Sequence, residues 1–311
     1  MTTHLERALE LAERGRGATH PNPVVGAVVV REGEVVGEGW HERAGGPHAE
    51  VAALRAAGDR ARGATLYVTL APCSHHGRTP PCTDAVVAAG VARVVVGAED
   101  PTRDDLAVLR AAGVEVELVD AFEARAQNEA WRTWATRGRP FVTYKAAVTL
   151  DGRTTVPGSR WVTGEASRRR VHELRAASDA VAVGMGTFRA DAPRLDARGV
   201  DAPRQPRRVV FGRGPLPKES ELELVAGPLE EELRRLAAEG VQSLLLEGGP
   251  TLASAFLAAD LVDKLLVFVA PTVAGSGAAL AESLPRPLPL TRLTAEPIGE
   301  DVLLTAYVHE P

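Results

Sequence analysis

The sequence predicts an α/β protein that is divided into two domains, and three observations support this. The chain has 311 residues, and a typical domain takes ~100–200 residues. Strands alternate with helices along most of the chain, a pattern typical of layered α/β domains. The alternation is interrupted by the helical stretch FEARAQNEAWRTWATRGRP, after which a new strand begins at Phe141. We therefore expect one domain of residues 1–140 and a second of residues 141–311.

The composition and charge of the chain argue against two kinds of partner. Hydrophobic residues make up 45% and charged residues 25% of a chain with a net charge of −5, which is ordinary for a globular protein. This balance lacks the broad basic field of a nucleic-acid binder. No apolar run reaches the ~18 residues of a membrane span, and the N-terminal MTTHLERALELAERG has no apolar signal-peptide core. We expect a cytoplasmic protein without nucleic-acid or membrane partners.

Apolar spacing and turn residues predict the individual elements. Apolar residues at helical spacing predict a helix over residues 3–15, and β-branched and aromatic residues predict a strand over 64–70. The first domain is also predicted to contain strands within 21–30, after the REGE turn, over 91–98 and over 114–120, and helices over 47–58, 82–90 and 104–113. The second is predicted to contain strands over 141–152, 179–184, 207–211, 241–246 and 263–270, and helices over 165–177, 229–239 and 250–258.

The two cysteines of the chain, Cys73 and Cys82, lie nine positions apart in the stretch TLAPCSHHGRTPPC. In a reducing compartment, cysteines are more often metal ligands or catalysts than disulfide partners. Zinc binds thiolate and imidazole ligands, and a catalytic zinc site keeps one position for water. We predict His48 as the third ligand because HAE, with Glu50 two residues after the histidine, is the H-x-E half of the zinc-deaminase signature. Pro72 and Cys73 begin its second half.

The predicted positions of these residues suit a catalytic metal. His48 and Cys82 both open helices, whose N-termini favour thiolate and other negative charge. Glu50 is predicted to be a proton carrier rather than a ligand, because it lies in the first helical turn within reach of a metal-bound water. Two alternatives remain open. One is a structural zinc site with His75 or His76 as the fourth ligand, and the other is a disulfide.

The spacing of the cysteines departs from the usual deaminase pattern. That pattern separates the second pair of ligands by two residues, whereas eight residues intervene here. The inserted segment Ser74–Pro81 must loop out and bring polar side chains, among them Arg78, to the rim of the site. Such a loop suits a polar, phosphorylated substrate.

Taken together, PNPVVGAVVV, GWH, HAE and TLAPCSHHGRTPPC resemble the deaminase domain of riboflavin biosynthesis. That family acts on a diaminopyrimidinone that bears a phosphoribosylamino group. The resemblance implies a cytidine-deaminase-like three-layer domain, with one zinc ion held by His48, Cys73 and Cys82 and with Glu50 as the catalytic residue. It also implies a substrate pocket lined by Asn22, His41, Ser74, His75, Arg78 and Thr79. The simpler interpretations are a turn residue for Asn22 and an ordinary loop histidine for His41.

A second motif, LLLEGGPTLASAF at residues 244–256, has the features of a phosphate cradle. Its strand ends at Glu247 and two glycines, and Pro250 opens a helix whose free N–H groups would face an anion. A simple strand–turn–helix corner would have the same sequence. VGMGTFRAD at residues 183–191 is no Rossmann fingerprint, because Arg189 stands where the third glycine belongs.

The order of KAAVTLDGRT, SRWVTG, HELRAASDAVAVGMGTFRADAPRLDAR and LLLEGGPTL resembles the reductase domain of the same pathway. The resemblance implies a dihydrofolate-reductase-like α/β domain that uses NADPH. The implied NADPH contacts are Ala147, Trp161, Thr187, Asp191, Gly249, Pro250, Thr251, Leu252, Ala253, Ser254 and Ala255. The implied substrate contacts are Ser159, Arg175, Leu195, Arg198 and Glu247. Arg175 and Arg198 could grip a ribose phosphate or be solvated, and Trp161 could cover the cofactor or belong to the core.

The resemblance covers residues 2–280 and predicts a bifunctional enzyme. The expected reactions are zinc-hydroxide hydrolytic deamination of the diaminopyrimidinone nucleotide, followed by NADPH-dependent reduction of its ribosyl side chain to ribityl. The expected partners are this small-molecule substrate and further copies of the chain, in a homo-oligomer of two or four subunits. The alternatives are a cytidine-type or nucleotide-editing deaminase with an accessory domain, and a zinc-stabilised binding protein without turnover.

Overall fold

The computed structural model describes residues 2–77, 79–217, 219–282 and 284–311. The chain divides into two compact units between Thr136 and Arg137, and the second unit extends to Glu310. This division falls within the helical stretch that interrupts the strand–helix alternation of the sequence. In the described part of the chain, no helix combines the length and the apolar character needed to cross a membrane.

The first unit contains a five-stranded sheet in the order β2-β1-β3-β4-β5. Its strands are β1 (Gly26–Arg31), β2 (Glu34–Trp40), β3 (Thr65–Leu70), β4 (Arg93–Ala98) and β5 (Glu115–Leu118). β1 is antiparallel to β2 and β3, whereas β3, β4 and β5 run parallel. The carboxyl ends of β3 and β4 therefore lie at the same edge of the sheet.

Helices cover both faces of this sheet, which gives the predicted three layers. They are α1 (Thr3–Glu13), α2 (Ala49–Ala57), α3 (Cys82–Ala88), α4 (Leu106–Ala111), α5 (Phe122–Gln127) and α6 (Glu129–Arg137), with a short 3₁₀ helix at Gly58–Ala61. Apolar residues of α1 pack with Val28 and Val30 of β1. Apolar residues of α2, α3 and α4 pack with Ala27 and Val29, whose side chains point to the opposite face.

The stretch predicted to be helical after residue 121 forms two helices, α5 and α6. The break is at Asn128, which is 5% exposed. Its side-chain oxygen accepts a hydrogen bond from the Val24 backbone N–H, and its side-chain nitrogen donates to the Val24 carbonyl, each at 2.9 Å. Because these bonds satisfy a buried backbone segment, they hold Asn128 outside helical geometry.

The second unit contains an eight-stranded sheet in the order β12-β13-β11-β6-β10-β7-β8-β9. Its strands are β6 (Phe141–Thr149), β7 (Ala180–Gly184), β8 (Arg207–Phe211), β9 (Glu223–Val225), β10 (Ser243–Leu246), β11 (Lys264–Ala270), β12 (Thr291–Ile298) and β13 (Asp301–Tyr307). The strands from β11 through β9 in this order are parallel, whereas β13 is antiparallel to both β11 and β12.

Four helices pack on the two faces of the second sheet: α7 (Glu165–Ala177), α8 (Met185–Asp191), α9 (Leu229–Ala238) and α10 (Pro250–Ala258). α9 and α10 pack over Val142, Tyr144 and other core residues of the central strands, while Val171 of α7 packs with Phe268. The sequence predicts neither α8 nor any element after residue 270, yet the structure adds the β12–β13 hairpin. The residues of β12 are almost all exposed, so this strand lacks the alternating apolar pattern that would have marked it.

Candidate active site

The ligands predicted from the motifs of the first unit come together at one edge of its sheet. Cys73 follows β3, and Cys82 is the first residue of α3. His48 is the residue immediately before α2. The Thr83 backbone N–H donates to the Cys73 carbonyl at 3.1 Å. This hydrogen bond closes the intervening loop and returns Cys82 to Cys73.

The ligand atoms of His48, Cys73 and Cys82 lie within 4.8 Å of one another. His48 Nδ1 is 3.6 Å from the Cys73 sulfur and 3.2 Å from the Cys82 sulfur. One imidazole nitrogen and two sulfurs form a donor set that fits zinc and leaves a coordination position open. In the described ranges, this is the one group of three metal-ligating side chains at such close range.

The electrostatics of the group suit a metal centre. A hydrogen bond from Cys82, and another with His48, lower the pKa of the Cys73 thiol to about 4. The same contact with Cys73 raises the pKa of His48. Glu50 lies in the first turn of α2 and is 3% exposed, and burial raises the pKa of its carboxyl to about 7. A carboxyl in this state can take up and release a proton near neutral pH.

The structure gives no support to the two alternative interpretations of the cysteines. Cys73 and Cys82 are both free. His75 and His76 are exposed and do not belong to the close group of ligand atoms. The group therefore offers three side chains that could hold a metal ion, the number that a catalytic zinc site requires.

Asn22 and His41, both predicted to contact substrate, form one hydrogen-bonded pair beside this group. His41 is 3% exposed, and its Nδ1 lies 3.0 Å from the Pro47 carbonyl, which can only accept. Nδ1 is therefore the donor, and Nε2 accepts from the Asn22 side-chain nitrogen at 3.2 Å. Burial lowers the pKa of His41, which favours this neutral form. The exposed Asn22 amide is thus oriented by a buried histidine.

The loop residues between the cysteines differ in their surroundings. The Thr79 hydroxyl lies 3.4 Å from His48 Nε2, the ring nitrogen that faces away from the sulfurs. The Ser74 hydroxyl donates to Asp105 Oδ1 at 2.5 Å. His75 is exposed, and Arg78 lies outside the described residues. Asp105 belongs to none of the predicted motifs. An aspartate just before a helix is common and gives no specific signal of function.

In the second unit, three partly buried charged side chains meet at the carboxyl end of β10. Glu247 accepts from Arg175 Nε at 2.6 Å and from Nη2 at 3.0 Å, and Lys145 Nζ lies 3.7 Å from Glu247. Leu246 pairs with Tyr144 across β10 and β6, so the strand register places Glu247 beside Lys145. The motif KAAVTLDGRT begins with Lys145, but no role was predicted for this residue, although a lysine within an otherwise apolar strand was a usable signal.

The charges of this group, Lys145, Arg175 and Glu247, shift one another's protonation. Burial raises the pKa of Glu247, but the Lys145 ammonium and the Arg175 guanidinium outweigh it, and the net pKa is lowered. Burial lowers the pKa of Lys145. Two cations and one carboxylate leave an excess positive charge in a partly buried position, which suits an anionic or electron-rich ligand.

The glycine turn between β10 and α10 lies against the start of α8. The Gly249 N–H donates to the Thr187 hydroxyl at 3.1 Å. A Cβ on Gly249 would lie 3.1 Å from that hydroxyl, and a Cβ on Gly248 would lie 2.9 Å from Leu252. The turn is therefore bare backbone followed by the helix N-terminus, an arrangement that fits the phosphates of a dinucleotide.

The other predicted cofactor residues lie in mixed environments. Trp161 is 51% exposed, and the guanidinium carbons of Arg160 and Arg168 lie 5.0 Å and 5.2 Å from its ring centroid. Exposed or half-buried positions are occupied by Ala147, Asp191, Pro250, Thr251, Leu252 and Ala255. Ala253 and Ser254 are buried, and the Ser254 hydroxyl accepts from the Glu282 N–H at 2.7 Å. Because these two side chains are buried, the residues could contact a cofactor only through the backbone of α10.

The predicted substrate residues of the second unit are likewise divided. Arg175 and Glu247 are bonded to each other. The exposed Ser159 hydroxyl donates to the Trp161 carbonyl at 2.8 Å. Leu195 is buried in a left-handed conformation with φ 57°. Arg198 is exposed and pairs with Asp196.

Each of the two units matches a known protein family. Residues 1–98 match the cytidine and deoxycytidylate deaminase zinc-binding region. Residues 140–304 match the RibD C-terminal domain. The riboflavin biosynthesis protein RibD of Aquifex aeolicus is 40% identical over 97% of this chain and 96% of its own. That of Escherichia coli is 41% identical over 88% of this chain and 89% of its own.

Two solved structures match nearly the whole length of this chain. RibD of Acinetobacter baumannii matches with a TM-score of 0.85 and 37% identity, covering 98% of this chain and 97% of the other. A diaminohydroxyphosphoribosylaminopyrimidine deaminase/5-amino-6-(5-phosphoribosylamino)uracil reductase of Thermotoga maritima matches with a TM-score of 0.84 and 34% identity over the same shares. The fold class predicted from the sequence is confirmed. Sequence, fold and both sets of motifs thus agree, and the chain belongs to the RibD family of riboflavin biosynthesis proteins.

Proposed function

We propose that this chain catalyses two consecutive steps of riboflavin biosynthesis. The first unit hydrolytically deaminates the diaminopyrimidinone that bears a phosphoribosylamino group. The second unit reduces the ribosyl side chain of the deaminated product to ribityl. The observation that carries the proposal is the convergence of His48, Cys73 and Cys82 beside the buried Glu50, in a chain whose second unit matches a reductase family domain.

In the deaminase site, each polar side chain has a distinct task. His48, Cys73 and Cys82 would hold one zinc ion, which supplies Lewis-acid activation of water. Hydrolysis replaces the bond between a ring carbon and its exocyclic amino nitrogen with a carbon–oxygen bond. The two protons of water pass to the ring nitrogen and to the amine that leaves as ammonia. Glu50 carries these protons, since its buried carboxyl titrates near neutral pH. His41 holds the Asn22 amide toward the substrate.

In the reductase site, NADPH would supply the hydride. Reduction of the ribosyl group breaks the bond between the anomeric carbon and the ring oxygen, so the carbon gains a hydride and the oxygen gains a proton. Lys145 is the proton donor that the geometry favours, because its ammonium is partly buried and lies 3.7 Å from Glu247. Arg175 holds Glu247 in place through two hydrogen bonds.

The contacts proposed for NADPH and for the ribose phosphate of the substrate depend on which groups of the second unit are accessible. The Gly248–Gly249 turn and the start of α10 would receive the phosphates of NADPH, and Trp161 would cover the cofactor. Arg175 is partly buried and makes two hydrogen bonds to Glu247. Arg198 pairs with Asp196 but is exposed, which makes it the better placed cation for the ribose phosphate of the substrate. The homo-oligomeric state and the cytoplasmic location stay predictions.

One experiment tests both activities. The purified chain is incubated with the diaminopyrimidinone nucleotide, with and without NADPH, and the products are separated by chromatography. We expect the deaminated, ribosyl-containing intermediate without NADPH and the ribityl product with it, at one zinc per chain. Deamination with no NADPH oxidation would favour a cytidine-type deaminase with an accessory domain. Zinc binding with no turnover of either kind would favour a binding protein.

A further inference from the structure

Asp105 lies at the deaminase edge of the first sheet, although it is far from the metal motifs in sequence. It directly precedes α4, in the connection that follows β4. β3 and β4 are parallel neighbours, so the connections that follow them meet at one edge of the sheet. The connection after β3 carries the ligand Cys73 and then Ser74. Asp105 therefore lies beside the loop that carries Ser74.

The carboxylate of Asp105 has an unusual set of partners. It is 3% exposed, and its side chain does not cap the helix that it precedes. Oδ1 accepts from the Ser74 hydroxyl at 2.5 Å. Oδ2 is buried and has no hydrogen-bond partner in the described part of the chain. Ser74 is thus the side chain that supplies this buried carboxylate with a donor.

This arrangement determines the direction in which the Ser74 hydroxyl can act. A carboxylate accepts and cannot donate, so the hydroxyl hydrogen points at Asp105. A buried carboxylate short of donors keeps that hydrogen strongly, because Ser74 is the one donor to Oδ1 among the described residues and none of them serves Oδ2. A hydroxyl whose hydrogen is committed offers the rest of the site only an acceptor.

We propose that Asp105 is a positioning residue that fixes Ser74 as a hydrogen-bond acceptor for the amino group that the reaction leaves on the pyrimidine ring. The inference rests on the proposed function. Besides its phosphoribosylamino nitrogen, the diaminopyrimidinone carries two amino groups on ring carbons. One of them is hydrolysed, and the other is a donor that cytosine lacks. An obligate acceptor beside Cys73 would favour the diamino substrate over cytosine-type rings, because their ring carbon offers no N–H at that position.

The test uses four variants: Ser74→Ala, Asp105→Ala, the double variant of these two, and Asp105→Asn. The amide oxygen of the asparagine can still accept a hydrogen bond from Ser74. Steady-state deamination of the diaminopyrimidinone nucleotide is measured together with zinc content. Each single Ala variant should raise KM about 5–10-fold, the effect of one hydrogen bond, with kcat changed less than about twofold. The double variant should be no worse than either single variant, because all three lose the same contact. Asp105→Asn should restore most of the affinity.

A substrate analogue with hydrogen in place of the retained amino group gives a second readout. Its KM should be equally high for the original protein and for Ser74→Ala, because the donor read by Ser74 is missing in both cases. Additive losses in the double variant, or an unchanged KM in Asp105→Ala, would overturn the proposal. If Asp105→Ala loses zinc, Ser74→Ala decides alone, and an unchanged KM there overturns it.

The outcome also separates this inference from the function on which it rests. A protein that does not deaminate the diaminopyrimidinone nucleotide at all disproves the proposed function. A protein that does so, with Ser74 and Asp105 variants that behave like the original, disproves only the role of Asp105. NADPH oxidation on the deaminated intermediate should be the same in every variant and reports that the second unit is folded, while zinc content reports on the first unit.

Discussion

The two units build their sites in different ways. In the first unit, side chains from three segments converge until the ligand atoms of His48, Cys73 and Cys82 lie within 4.8 Å. In the second unit, the surface expected to receive the cofactor is largely backbone, at the Gly248–Gly249 turn and the start of α10. A metal needs side chains that are in place beforehand, whereas a dinucleotide needs space and free N–H groups. The two sites should therefore fail in different ways when perturbed.

Removing zinc should have the largest effect and should act on one unit only. After treatment with a strong chelator, we expect deamination to fall below detection, because the water loses its activation. NADPH oxidation on the deaminated intermediate should stay within about twofold, since Lys145, Arg175 and Glu247 need no metal. Returning zinc should restore deamination. Loss of both activities would show that the two sites are not independent.

Glu50→Gln should abolish most deamination while leaving the metal in place. Glutamine fills the same space but cannot carry a proton, and general acid–base catalysis contributes about 10²–10⁴-fold. We expect kcat for deamination to fall by about 10²–10⁴-fold. The zinc content per chain, measured by atomic absorption, should be unchanged. Glu6→Gln, at an exposed position of α1, is the matched control and should be neutral. Loss of zinc in the Glu50 variant would instead make this residue part of the metal site.

Lys145→Met should slow the reductase and spare the deaminase. Methionine keeps most of the side-chain volume but removes the partly buried ammonium beside Glu247, and we expect kcat for NADPH oxidation to fall about 10²-fold. Lys264→Met is the control, because this strand lysine packs over the Tyr307 ring and has no proposed role in reduction. A reductase rate unchanged in Lys145→Met would assign proton transfer to another group.

Gly249→Ala should have the smallest effect, in the binding of cofactor. A Cβ there would meet the Thr187 hydroxyl at 3.1 Å, so the turn must shift by a few tenths of an ångström. We expect the Kd for NADPH, measured by quenching of protein fluorescence, to rise by about 3–10-fold, while kcat at saturating NADPH changes little. The deaminase rate of the same protein is the internal control. An unchanged Kd would place the phosphates elsewhere.

The sequence predicted the metal site better than the polar groups around it, for a physical reason. Histidine and cysteine are scarce, so His48, Cys73 and Cys82 stand out by type and spacing alone. Lys145 and Asp105 belong to common residue types, and their importance arises from burial and from strand pairing, which only the fold reveals. Arg175 looked available for a phosphate, yet the structure commits it to Glu247.

The same reason explains the successes and misses in the fold. The strands and helices of both units were predicted where a regular apolar pattern faces a core, as in α1 and α9. β12 was missed because an exposed edge strand has no such pattern, whereas β13 lies inside the sheet and is partly buried. The stretch predicted to be helical after residue 121 is helical on both sides of Asn128, where tertiary hydrogen bonds override helix propensity.

The break at Asn128 also sets the smallest fragment that can work as a deaminase. The family region for zinc binding ends at residue 98, and a fragment cut there would retain all three ligands and Glu50. It would lose the amide that pairs with the Val24 backbone, two residues from Asn22. The segment that presents Asn22 would then have a buried N–H and carbonyl without partners. A deaminase designed to stand alone must therefore include α5 and extend past Asn128.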